Sequence, residues 1–161
     1  LADNVQFEVL RSDVIRKEIF TNSVAVGEGT GMYSEANTQR IYDVCRSRAQ
    51  ARLLAGGRVI VDATFQREAN RRQFLQLAID CGVRAVWLEC AAPPDVIRGR
   101  LETRYADASD ADWSVYELVR KQWEPASDFT QRFRAIVESG DDADSAFKSA
   151  CGVLKAQGLR L

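Results

Sequence analysis

Arg58 to Thr64 read Arg-Val-Ile-Val-Asp-Ala-Thr, and no other stretch restricts the fold so tightly. Three β-branched aliphatics in succession predict a strand buried on both faces, the habit of a parallel sheet covered by helices. A carboxylate then closes the strand. An apolar run has no packing use for Asp62, because burying an unpartnered charge is costly. Ligands of open α/β sheets bind outside the carboxyl ends of the strands, so Asp62 stands where a metal ion or a phosphate-linked water would be held. The plainer alternative, a cap on the next helix, fits Thr64 better, which lies nearer the helical pattern from Arg67.

The rest of the chain repeats that alternation. Gln6 to Leu10 is a strand, followed by a short helix from about Val14 to Phe20. A loop with Gly27, Gly29 and Gly31 occupies Thr21 to Tyr33. Ser34 caps a long amphipathic helix with Ile41, Val44, Cys45 and Leu53 close to one face, and Gly56-Gly57 stops it. After the strand at 58–62, a helix spans about Glu68 to Asp80, with Phe74, Leu77 and Ala78 on one side. Arg84 to Cys90 is the next strand, and Pro93-Pro94 opens a helix through about Arg104. An acidic connector at Asp107 to Asp112 leads to a helix at Trp113 to Trp123, a strand at Ala135 to Glu138 and a helix at Asp142 to Leu154. The order predicts one α/β domain over 1–161, a parallel sheet with helices on both faces.

Composition excludes several classes. The net charge of −1, from 22 basic and 23 acidic residues, argues against a strongly basic nucleic-acid wrapper. No apolar run is long enough to span a membrane, and no secretory signal pattern opens the sequence, so a cytoplasmic protein is expected. The four cysteines, Cys45, Cys81, Cys90 and Cys151, show no C-x-x-C spacing, and the chain has no histidine. A zinc site is therefore not expected, and any general base must be a carboxylate.

Four clusters could carry chemistry. Asp13 and Arg16, three apart just after the first strand, share a helix face. A carboxylate there can take a hydroxyl proton while the arginine steadies a phosphate. The alternative is a capped helix start, with Arg16 as a surface ion partner. Gly27-Glu-Gly-Thr-Gly31 resembles a phosphate loop only superficially, because it follows no strand and lacks the Lys-Ser/Thr ending. Arg98, Arg100 and Arg104 could close over triphosphate oxygens as part of a mobile lid over about 98–125, or form a solvated face paired with Asp95, Glu102 and Asp107. Arg67, Arg71 and Arg72 follow Asp62. Arg71 shares a face with Arg67, and that face either binds an anionic substrate or faces solvent.

Leu10-Arg-Ser-Asp13-x-x-Arg16-Lys17, Tyr33-Ser34 opening a long helix, Val59-Ile-Val-Asp62-Ala-Thr64, and Leu88-Glu-Cys90 before Pro-Pro and Arg98-x-Arg100-Leu-x-x-x-Arg104 occur in that order. Together they resemble the AAA-type ATP-binding domains of the P-loop kinase group, near the polynucleotide 5'-kinase and zeta-toxin families. The resemblance implies an ATP- and Mg²⁺-dependent phosphotransferase acting on a hydroxyl acceptor, either a small molecule or a nucleic-acid end. It implies Asp13 as catalytic base, Arg16 as substrate-binding, Arg100 and Arg104 as nucleotide-binding, and Asp62 near the metal, through water; Arg71 is expected to bind substrate from its place on the helix after Asp62. In some such proteins the domain follows an aminoglycoside-phosphotransferase-like domain, a candidate partner. One departure is large: the family's first, central strand and its G-x-x-x-x-G-K-S/T loop do not occur in this sequence. The expectation is therefore an N-terminally incomplete domain, with a gap in the sheet between the strands at 58–62 and 84–90, and inactive by itself. A nucleotide-binding accessory or switch module that transfers nothing is the alternative.

Overall fold

The computed structural model describes residues 7–21, 34–103, 111–140 and 142–159. The Gly27–Gly31 loop, Tyr33, Arg104 and Asp107 lie outside the described residues. The chain divides into two compact units, one ending at Thr64 and one beginning at Phe65.

In the first unit, β1 (Glu8–Arg11) passes without an intervening residue into α1 (Ser12–Thr21). Then follow α2 (Glu35–Leu54) and β2 (Val59–Asp62). β1 and β2 are parallel, with Glu8 opposite Val59 and Arg11 opposite Asp62. Ser34 caps α2 as predicted, its side chain accepting from the Asn37 N–H at 3.3 Å. Gly56, at φ +75, provides the left-handed turn after α2, and its N–H donates to the Leu53 carbonyl at 2.9 Å. Ile41, Cys45 and Ala49 recur at four-residue spacing and are buried, because that spacing keeps them on one helix face. Leu10 and Ile15 complete this core. β2 departs from expectation. Val59, Ile60 and Val61 are only half-buried, since β2 pairs with β1 alone among the described strands.

The second unit contains α3 (Glu68–Asp80), β3 (Trp87–Ala91), α4 (Pro94–Thr103), α5 (Trp113–Lys121), α6 (Asp128–Gln131), β4 (Arg134–Glu138) and α7 (Ala143–Ala156). β3 and β4 are parallel, with Trp87 opposite Arg134 and Ala91 opposite Glu138. β3 starts at Trp87, not at Arg84, because its ladder partner starts only at Arg134. The bidentate Arg134–Glu89 pair, at 2.8 and 2.9 Å, ties the two strands side to side. Leu75, Leu77 and Ala78 of α3, Val137 of β4, and Ala150 and Leu154 of α7 are buried.

Parallel strands alternating with helices are what the sequence predicts. The helix α6 is absent from the sequence reading. It is one turn long, capped by the Ser127 hydroxyl, which accepts from the Thr130 N–H at 3.4 Å.

Candidate functional site

The carboxyl end of the β1–β2 ladder gathers three of the predicted residues, Asp13, Arg16 and Asp62. Asp62 closes β2, and its side chain is 60% exposed. The register puts Arg11 beside it, and the Arg11 Nε donates to Asp62 Oδ2 at 3.3 Å. Asp13 lies in the first turn of α1, where the helix dipole favours a negative charge, and it is partly accessible. The two carboxylates therefore follow the ends of adjacent parallel strands, the position at which open α/β sheets bind ligands. Arg16, one turn after Asp13, is only 8% exposed. It is not the surface ion partner of the plainer reading.

Beneath this end sits a thiol that contributes no nucleophile. Burial pushes Cys45 up to about 11, and the nearby Arg48 and Arg16 charges offset that only in part. The thiol stays protonated and packs as a small apolar group. A separate cavity of about 150 Å³ opens between β1, α1 and α2, floored by Leu10 and Ile15 with Glu18 and Arg48 among its lining residues. Glu18 and Arg48 pair at 2.9 Å. Asp13, Arg16 and Asp62 do not line it.

Arg71 overturns the expectation of either a solvent-facing or a substrate-binding guanidinium. Its side chain is 1% exposed. Nε donates to Glu68 Oε2 at 2.8 Å. One terminal nitrogen donates to the Phe65 and Gln66 carbonyls at 2.7 and 3.2 Å. The other donates to the Glu124 and Pro125 carbonyls at 2.5 and 3.3 Å. All five donors of the fork are thus engaged, and none remains for a substrate. The indoles of Trp87 and Trp123 lie 5.1 and 5.4 Å from the guanidinium carbon and close it off from water.

Glu68 is the anionic half of this knot. Burial alone would raise it, but hydrogen bonds from Ser127, Thr130 and Arg71 win, and its carboxyl is held at about 2. A carboxylate so acidic has no use as a base near neutrality. The start of α3 also differs from expectation. Thr64 is not its cap. Arg67 holds the N-cap position, and its side chain makes no capping bond. The acceptor comes from far along the chain, since Glu124 Oε2 receives the Glu68 N–H at 2.7 Å. Thr64 Oγ1 instead lies 3.4 Å from the Tyr42 hydroxyl.

Of the arginines assigned to a lid, Arg100 is exposed in the last turn of α4. Arg98 lies over the Trp113 ring, 4.4 Å from its centroid, and so joins α4 to α5. Arg104 lies outside the described residues. Among the described residues no group of three or more acidic or cysteine side chains is arranged to hold a metal ion by itself. Mg²⁺ commonly keeps several waters and uses one or two carboxylates plus substrate phosphates, and the exposed Asp62 fits that mode. The G-x-x-x-x-G-K-S/T cradle has no counterpart in this sequence, so the residues present fit the metal-water side of such a site and lack that loop's phosphate ligands.

Arg11 and Glu124 were missed by sequence reasoning. Arg11 had a signal: it follows Val9-Leu10 as Asp62 follows the β2 aliphatics, so two oppositely charged residues end two strands. Glu124 had none that is local.

Parallel βα units with acidic residues at the strand ends put a ligand site of an α/β domain at the carboxyl end of the ladder. Residues 1–126 match the family described as AAA domain, and the chain belongs to that family. Its fold is that of the P-loop kinases. A gluconokinase from Sinorhizobium meliloti 1021 superposes with a TM-score of 0.65 at 12% identity, over 98% of this chain and 82% of that one. A candidate kinase from Chloroflexus aurantiacus J-10-fl superposes with a TM-score of 0.66 at 15% identity, over 97% and 86%. The tunicamycin resistance protein of Deinococcus radiodurans gives a TM-score of 0.56 at 15% identity, over 96% and 84%. At these identities the likeness shows the fold alone. No curated protein matches the chain.

Proposed function

We propose that this chain is the acceptor-binding and catalytic-base part of a cytoplasmic, ATP-dependent kinase that phosphorylates a hydroxyl group. The observation that carries the reading is the end of the β1–β2 ladder, where Asp13 and Asp62 follow adjacent parallel strands and both are accessible. Family membership and the three kinase-fold neighbours support it. Asp13 takes the proton of the acceptor hydroxyl. Arg16 holds the acceptor, Arg100 and Arg104 bind nucleotide phosphate, and Asp62 orients a water of the Mg²⁺ shell. Bound ATP and Mg²⁺ supply the phosphoryl group and offset its charge. The protein's share is positioning and one proton transfer. The acceptor is a small molecule or a nucleic-acid end.

The test is ATP consumption by the full-length protein against a panel of hydroxyl acceptors. Removing a general base costs roughly 10²- to 10⁴-fold, so Asp13→Ala is expected to lose at least that much while folding normally. A fully active Asp13→Ala protein rejects the assignment.

One observation favours a second reading, a nucleotide-binding switch that transfers nothing. The Arg11 guanidinium already partners Asp62, which weakens that carboxylate as a metal anchor. In this case ATP binds and alters association with a partner domain, such as an upstream phosphotransferase-like domain, with no turnover on any acceptor.

A further inference from the structure

The cavity between β1, α1 and α2 combines features that the strand-end site does not use. Its floor is apolar, since Leu10 and Ile15 are buried, and the exposed Val9 and Val14 carry that apolar wall to the surface. Three charged side chains complete the lining: Arg11, Glu18 and Arg48. Arg48 donates to Glu18 at 2.9 Å, and with two arginines against one glutamate the wall carries a net positive charge. Arg11 also belongs to the strand-end site. Its Nε donates to Asp62 Oδ2 at 3.3 Å, while Asp62 itself does not line the cavity. One guanidinium is thus shared between an apolar cavity and a strand-end carboxylate. The shared bond is long for a charge-assisted one, and both of its side chains are open to water. Such a pair exchanges partners at little cost.

We propose that this cavity binds a compact apolar carboxylate, whose charged end takes Arg11 from Asp62 and leaves Asp62 open to a cation. The volume sets the size of the ligand. A dry cavity of about 150 Å³ accommodates a benzene ring, so the apolar body has about six carbons. The bond already present sets its charge. Arg11 donates to a carboxylate oxygen in the fold, and the planar fork of a guanidinium matches that group. Ligand and Asp62 compete for one guanidinium. By linkage, a cation that binds Asp62 better once Arg11 has left strengthens the ligand's binding in return. On the kinase reading above, that cation is hydrated Mg²⁺, and the ligand turns Asp62 from an ion partner into a metal anchor. Only this last consequence rests on that reading.

The test is a titration of the full-length protein with benzoate, without nucleotide or Mg²⁺, followed by NMR of the Leu10, Val14 and Ile15 methyl groups. Saturable shifts of these methyls are expected. Benzamide has the ring without the charge, and acetate and inorganic phosphate have charge without the ring. Each should bind at least about tenfold more weakly than benzoate. No saturable shift with benzoate overturns the proposal. Benzamide binding as tightly as benzoate removes Arg11 from the site, and acetate or phosphate binding as tightly removes the cavity. Either result overturns it as well. Arg11→Gln should weaken benzoate by about tenfold, and an unchanged affinity contradicts the assignment. Val14→Phe, which fills the cavity from its exposed side, should do the same; if it fails to fold, Val9→Phe is used with the same expectation. Asp62→Asn tests the sharing. Relieved of its competitor, Arg11 should bind benzoate about threefold more tightly, and no gain means that the two sites do not share it. A second readout concerns the metal. Saturating benzoate should tighten ATP binding by about threefold with Mg²⁺ and not without it. No change with Mg²⁺ overturns the link from cavity to metal. Absence of any ATP binding by the native protein defeats the kinase reading and leaves the benzoate results standing.

Discussion

Two arginine–carboxylate pairs, one in each unit, show how the same chemistry serves opposite ends. Arg71 and Glu68 meet at 2.8 Å, with side chains 1% and 17% exposed. Arg11 and Asp62 meet at 3.3 Å, with side chains 39% and 60% exposed. The first pair has its donors spent on carbonyls, hydroxyls bind its carboxylate, and two indoles lie beside it. The second pair is the more exposed of the two and is held at a longer distance. A buried pair is costly to break because the survivor is left as an uncompensated charge. An exposed pair contributes little to stability, so it can be rearranged around a ligand. Placement, and not residue type, decides which pair builds the fold and which is available for chemistry.

That contrast can be broken in four places. The largest effect is expected from Arg71→Ala, which strands Glu68 and four carbonyls. Loss of one partner of a buried pair costs about 3–5 kcal/mol, to be read as a lowered urea midpoint. A loss below about 1 kcal/mol would put the Arg71 pair in the same class as the surface pair.

Acid should find the same knot. Glu68 titrates at about 2 in the fold against 4.5 when free. Its folded value is the lower one, so its stabilisation is complete above about pH 4.5 and disappears as the pH falls towards 2. The shift corresponds to about 3 kcal/mol. Urea unfolding at pH 7 and pH 3 should show a fall in stability that Glu68→Gln reduces. An identical pH dependence in the variant would remove Glu68 from this role.

Ser127→Ala should cost about 1–2 kcal/mol in a thermal melt, since the hydroxyl serves both Glu68 and the α6 cap. The smallest effect belongs to the other pair. Arg11→Ala should change stability by no more than about 1 kcal/mol in the same melt, and a larger loss would mean the exposed pair is structural after all.

Much of this architecture was legible in the sequence where its causes are local. Ser34 caps α2 through a bond to Asn37, three residues on, and Gly56 turns the chain because a residue without a Cβ takes its positive φ without strain. The α3 limits follow from its apolar spacing and from Gly82, which takes φ +66 just past its end at Asp80. Asp62 stood out because a charge ending an apolar strand needs a reason. The Arg71 knot was not legible. Arg67, Arg71 and Arg72 look alike on a helix, and the acceptors that single out Arg71 include carbonyls at 124 and 125, more than fifty residues away. The α6 turn was hidden for a related reason, since Ser127 and Thr130 are bound to the Glu68 carboxylate from the far end of the unit. The half-burial of β2 depends on how many strands flank it, which its own composition does not encode.

The most direct measurement is ATP titration of Asp62→Asn in the full-length protein, with and without Mg²⁺. If Asp62 serves the metal and not the fold, its melting temperature stays within a degree or two of the native protein, and its affinity falls about tenfold only when Mg²⁺ is present. Equal affinities in both conditions, or a large loss of stability, would contradict the assignment of the exposed pair to chemistry and the buried pair to structure.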